Sequence, residues 1–164
     1  MKTLLVLRHA KSSWDDETLD DHERPLNTRG QQDGPRIGYL LSERGLTPDL
    51  LISSDAVRAR MTADAVAAAA EYTHEILVDP RLYLATSEDI CAVLRTVPET
   101  NAGTVMIVGH NPGLEQLVAQ LTGQREELPT AALAQIVLPI DRWGDLDNST
   151  RGRLVDLWRP KELT

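Results

Sequence analysis

The chain has one cysteine, no phenylalanine, and only three tryptophans and three tyrosines among its 164 residues. A lone Cys91 cannot close an internal disulfide, so nothing in the sequence depends on an oxidising compartment. No apolar run approaches a membrane span, and the short run Leu4 to Leu7, directly before Arg8, is too brief for a signal-peptide core. A soluble, cytoplasmic protein is the expectation. Basic charge is also scarce: 17 Lys+Arg against 25 Asp+Glu leave a formal net charge of -8, which opposes unspecific binding to nucleic acid or to an anionic membrane. Absent too are a G-x-S-x-G elbow around Ser53 or Ser54, a Walker loop and a G-x-G-x-x-G turn. Kinases, P-loop enzymes and nicotinamide dehydrogenases are thereby disfavoured.

What is present is the composition of one ordinary domain, with 41% hydrophobic and 26% charged residues, and no repeat or linker divides residues 1–164. The charge is unevenly placed. Residues 61–130 hold 3 basic and 10 acidic side chains, whereas residues 1–60 hold 9 and 10, so the excess of negative charge lies mid-chain. An anion site belongs in the arginine-rich first third. Most of those arginines, Arg24, Arg36 and Arg44 included, read as solvated surface residues.

Short apolar runs at Thr3 to Leu7, Leu50 to Ser53, Ile76 to Val78 and Thr104 to Val108 read as buried strands of a parallel sheet. Between them the spacing predicts helices from Thr28 to Arg44 with Gly45 as a stop, from about Ala56 to Ala70 with Asp55 as N-cap, and from Ser87 to Val97. Cys91 falls in the last of these as a packed thiol. A further helix starts near Pro112, with Asn111 as its cap, and reaches about Leu121. Two late strands, Ala134 to Leu138 and Leu154 to Trp158, flank a polar segment. This alternation indicates a three-layer α/β/α sandwich with a largely parallel central sheet.

In such sheets ligands bind beyond the carboxyl ends of the strands. The first strand delivers Arg8 and His9 there, the second delivers Arg58 shortly after Ser53, and the fourth delivers His110. Two guanidinium forks and two imidazoles at one edge form a cradle for a phosphoryl dianion, reinforced by the helix start near Pro112. Any one of these residues alone would read as structural; four together do not. A neutral imidazole held in one tautomer can attack phosphorus, and arginines can neutralise the transferring group. No metal-ligand spacing occurs, His22 in its acidic stretch included, and His74 reads as exposed. Trp14, with Lys11 and Ser12, either lines the entrance or packs in the core.

Arg8-His9-Ala10, Ser53-Ser-Asp-Ala-Val-Arg58-Ala with Thr62-Ala63, and Val108-Gly-His-Asn-Pro112 resemble the histidine phosphatase superfamily, which includes the cofactor-dependent phosphoglycerate mutases. Arg8-His-Ala-Lys-Ser-Ser-Trp14 and Arg24-Pro-Leu-Asn-Thr-Arg-Gly30 look most like its SixA-type phosphohistidine phosphatase branch. The resemblance covers about residues 3–121. It implies a phosphoglycerate mutase-like fold, His9 as a nucleophile that becomes phosphorylated, and Arg8, Arg58 and His110 as a phosphate pocket, with Ser12 beside it. No cofactor is implied.

One departure carries information. After Leu82-Tyr83 the chain has Leu84, where many members of the superfamily have a glutamate that protonates the leaving group. An alkoxide needs such an acid, whereas imidazole, with a pKa of about 6.5, leaves readily. The expected reaction is therefore metal-independent removal of phosphate from a protein phosphohistidine. Glu88, Asp89 and Asp15 are the possible substitute acids, which would favour a small phosphomonoester instead. A third reading is a non-catalytic module that binds phosphorylated ligands, although two retained histidines argue against it. Phosphoglycerate mutation is disfavoured by the missing acid.

Overall fold

The computed structural model describes residues 1–99 and 102–163. Six strands form one sheet: β1 (Lys2–Arg8), β2 (Leu50–Ser53), β3 (Ile76–Val78), β4 (Thr104–Gly109), β5 (Leu133–Leu138) and β6 (Arg153–Trp158). Their order is β3-β2-β4-β1-β5-β6. The first four pair in parallel, and β5 and β6 extend the β1 side antiparallel. Helices α1 (Thr28–Glu43), α2 (Val57–Ala69), α3 (Ser87–Arg95) and α4 (Gly113–Thr122) complete a three-layer α/β fold.

Alternation along the two central strands creates the layers. Leu5 and Leu7 of β1, with Met106 and Val108 of β4, join Ile37, Leu41 and Val66 from α1 and α2. Leu4, Val6, Val105 and Ile107 point the other way, onto Leu94, Leu117 and Leu121 from α3 and α4. Every one of these strand side chains is fully buried, which is why the runs read as continuously apolar. At roughly 1.5–3 kcal/mol for each buried aliphatic side chain, β1 and β4 anchor the sheet. Their pairing sets Arg8 opposite Gly109, and β2 sets Ser53 opposite Val108, so the three strand ends that carry the site lie level.

Two expected caps are not formed. The residue preceding α2 is Ala56, with no side-chain cap bond. Asp55 instead lies beside His22, Oδ1 to Nε2 3.0 Å, while Ser54 Oγ accepts the Ala56 N–H at 3.2 Å. Helix α4 begins at Gly113, after a cis Asn111-Pro112 bond, and Pro112 precedes it in helical conformation. Asn111 Nδ2 donates to Leu128 O at 2.8 Å, so this amide ties down the approach to β5 rather than capping the helix.

Glycines permit two close approaches near the site. A Cβ on Gly113 would fall on the Ala85 carbonyl, and one on Gly30 would fall on the Lys11 carbonyl. The start of α4 thus seats directly against the loop bearing Leu84. The start of α1, capped by Asn27 Oδ1 accepting from Gly30 N at 2.9 Å, seats against the loop that follows His9.

Candidate active site

Backbone bonds fix the end of β1 from both sides. His9 N–H donates to Gly109 O at 3.1 Å, and Arg8 O and His9 O both accept from Ala131 N–H, at 3.1 and 3.0 Å. Beyond His9, Ala10 N–H donates to Thr62 Oγ1 at 2.9 Å, and that hydroxyl donates to Arg58 O at 2.7 Å. One threonine on α2 therefore locks the loop that follows His9 to the turn carrying Arg58.

Arg8, His9, Arg58 and His110 converge as the sequence predicts, lining a cavity of about 250 Å³ together with Ser12 and Trp14. His9 is 6% exposed and its Nδ1 lies 2.7 Å from Ala10 O. A carbonyl only accepts, so Nδ1 carries the proton and Nε2 keeps its lone pair. Arg58 Nε faces that lone pair at 3.4 Å. Arg58 Nη2 lies 3.5 Å from His110 Nδ1, and His110 Nε2 lies 2.8 Å from Ser54 Oγ. The two imidazoles stand 5.1 Å apart, centroid to centroid. Arg8 Nη1 donates to Leu128 O at 3.0 Å, whereas its buried Nε has no hydrogen-bond partner among the described residues. That donor fits a phosphoryl oxygen.

Electrostatics keep both imidazoles neutral. Burial is the main cause for His9, opposed by the Ala10 bond and helped by Arg58, Arg8 and Arg24, and it brings the ring to about 4. His110 falls to about 3, by burial first and then by His9 and Arg58. Both lie below the ordinary value of about 6.5, so the unfolded chain takes up protons first. The stability that these rings contribute is complete above about pH 6.5 and is lost as the pH falls through the folded values. In an NMR titration of the ligand-free protein, the His9 ring protons are expected to move near pH 4. A midpoint near 6.5 would contradict a buried, arginine-flanked imidazole.

Three neighbours escaped the sequence reading. Arg24, expected on the surface, is 7% exposed and lines the cavity, donating to Ser12 Oγ at 2.9 Å and to Asp21 Oδ1 at 3.1 Å. The cause is a fold-back: Ser12 pairs with Leu26 as an isolated bridge, which carries Arg24 in beside the loop after His9. Asp21 is the second. Its Oδ2 accepts from Arg58 Nη2 at 3.0 Å and from Tyr83 Oη at 2.6 Å, and its carbonyl accepts from Arg58 Nη1 at 2.6 Å. Partial burial works to raise its pKa, but the Tyr83, Arg58 and Arg24 bonds prevail and hold it to about 2. It is an ionised acceptor, not a proton donor. Ser54, the third, holds the far nitrogen of His110.

Of the possible acids, none lines the cavity; Leu84 does. Asp89 is spent in a capping box, accepting from Thr86 N at 3.1 Å while Thr86 Oγ1 accepts from Asp89 N at 3.1 Å. Glu88 and Asp15 are exposed. His22 pairs with Asp55, and His74 is exposed, its ring against Tyr72. No helix is long and apolar enough to cross a membrane among the described residues.

Residues 4–83 match the model of the histidine phosphatase superfamily (branch 1). A crystal structure from Agrobacterium tumefaciens, assigned as a SixA phosphohistidine phosphatase, is 30% identical and superposes with a TM-score of 0.82 over 97% of this chain and 98% of that one. The chain belongs to the histidine phosphatase superfamily. Within it the relationship is to the SixA type. The protein histidine phosphatase SixA complexed with tungstate matches with a TM-score of 0.84 at 22% identity, covering 99% of both chains. An uncharacterized chloroplastic protein of Arabidopsis thaliana is 36% identical over 144 residues, which are 82% of this chain and 66% of that protein. The segments quoted above for the resemblance are the ones that the fold gathers at the ends of β1, β2 and β4.

Proposed function

We propose that this histidine phosphatase removes phosphate from a histidine side chain of a protein, without a metal, through a phospho-His9 intermediate. In the first step the His9 Nε2 lone pair forms a bond to phosphorus as the phosphorus–nitrogen bond of the substrate breaks. The departing imidazole, protonated on its other nitrogen, leaves as the neutral ring, the bonding pair becoming the lone pair of the nitrogen that phosphorus leaves. Arg8 and Arg58 neutralise the charge on the equatorial oxygens, and His110 supplies a further contact. In the second step water attacks phospho-His9, the new bond breaks, and inorganic phosphate departs.

The observation that carries this reading is the pairing of a neutral, oriented Nε2 with a cavity to which no carboxylate contributes. An alkyl ester loses the help of a general acid there, worth about 10²–10⁴-fold, while imidazole leaves without it. The two SixA structures described above, one of them of a protein histidine phosphatase, support the same choice. Turnover of a phosphohistidine-bearing protein is therefore expected to exceed that of an alkyl phosphate by about 100-fold or more in kcat/KM. Equal turnover would move the assignment to a phosphomonoesterase. Tight binding of phosphorylated ligands with no turnover would leave only a binding module.

A further inference from the structure

Large apolar side chains that stay exposed in a soluble fold call for an explanation when they meet at a functional site. Two of them do so here. Trp14 is 73% exposed and Leu84 is 58% exposed, and both line the catalytic cavity, one from the loop after β1 and the other from the loop after β3. Neither is idle surface. The Arg24 guanidinium lies 3.4 Å from the Trp14 ring centroid and is itself held by Ser12 and Asp21, so the indole is braced on one face and open to solvent on the rest. Leu84 adopts φ 49°, a left-handed conformation that a leucine takes only when its surroundings impose it, and its neighbour Ala85 is the residue pressed against Gly113.

We propose that Trp14 and Leu84 form the leaving-group subsite of this enzyme, an apolar jaw that receives a flat ring. The inference rests on the phosphatase reading above and specifies the substrate class within it. Phosphoryl oxygens go to the cationic floor of Arg8 and Arg58. The group attached to phosphorus must then emerge past the rim, where it meets an indole and a leucine instead of a proton donor. An imidazole matches such a rim in shape and in its indifference to an acid. A sugar or glycerol phosphate would place hydroxyls against apolar surface without hydrogen-bond partners.

The test compares the wild type with W14A and L84A on four probes: a phosphohistidine peptide, phenyl phosphate, phosphoramidate and orthovanadate. The first two carry a ring, phosphoramidate carries only an amino group, and vanadate reports the floor alone. Both variants are expected to lose about tenfold in kcat/KM on the ring-bearing probes, carried mainly by KM. Phosphoramidate turnover and vanadate inhibition should stay within about twofold. Equal losses on all four probes would make the two residues structural and overturn the jaw, as would no loss on any. If the wild type hydrolyses phenyl phosphate but not the phosphohistidine peptide, the substrate assignment above fails while the jaw is still read on phenyl phosphate.

Discussion

Replacing His9 with alanine is expected to lower kcat by about 10⁴-fold or more and to erase an acid-labile phosphoryl group from the trapped enzyme. The reasoning is local. His9 Nε2 is the one ring nitrogen at the site with its lone pair directed at the Arg58 Nε–H, because Nδ1 is committed to the Ala10 carbonyl. His110 is no substitute, since its Nε2 is engaged by Ser54 and its Nδ1 faces Arg58 from the other side. The loss should appear in kcat rather than in vanadate affinity, because the cationic floor remains. Rapid quench with labelled phosphohistidine protein, followed by peptide mapping, reads the intermediate directly. Full activity in the alanine variant, or a label on another residue, would remove the covalent mechanism.

Replacing Arg58 with alanine is expected to cost about 10³-fold in kcat/KM, and lysine should recover little of it. Arg58 is 3% exposed and contacts His9, His110 and Asp21 through three different nitrogens. An ammonium can make one of these contacts but cannot span all three. Alanine also removes one of the charges that lower both imidazoles, so the NMR titration points of His9 and His110 should rise in that variant. A coupled shift of both rings together with the rate loss would distinguish an electrostatic role from simple misfolding. Unchanged titration with unchanged turnover would rule Arg58 out of the site.

The layers of the fold and four members of the site were legible because their signals are local in sequence. A strand buried on both faces is a short apolar run, and the residue after it is placed by the strand itself, which is how Arg8, His9 and His110 could be located. Arg58 follows because it lies in the first turn of α2. Arg24 was not legible. Its place depends on the Ser12–Leu26 bridge and on Asp21, contacts between loops that leave no periodic pattern. Capping was misread for the same reason: Asp55 and Asn111 have the right chemistry for a helix start, yet each finds a partner from a distant loop, His22 and the Leu128 carbonyl. Side-chain preference describes what a residue can bond, and the tertiary neighbour decides what it does bond.

The Asp21 carboxylate changes what the ligand-free protein is. A guanidinium as buried as Arg58 would carry an unbalanced desolvation cost if left alone. Asp21 supplies the missing anion from within the chain, at 3.0 Å from Arg58 and 3.1 Å from Arg24. The pocket therefore arrives fully assembled before any phosphate does, and its integrity does not hinge on metabolite supply. Asp21 does not line the cavity itself, so it holds Arg58 in place without occupying the space that a phosphoryl group would take. The cationic floor is thus preorganised in the resting state, ahead of any chemistry.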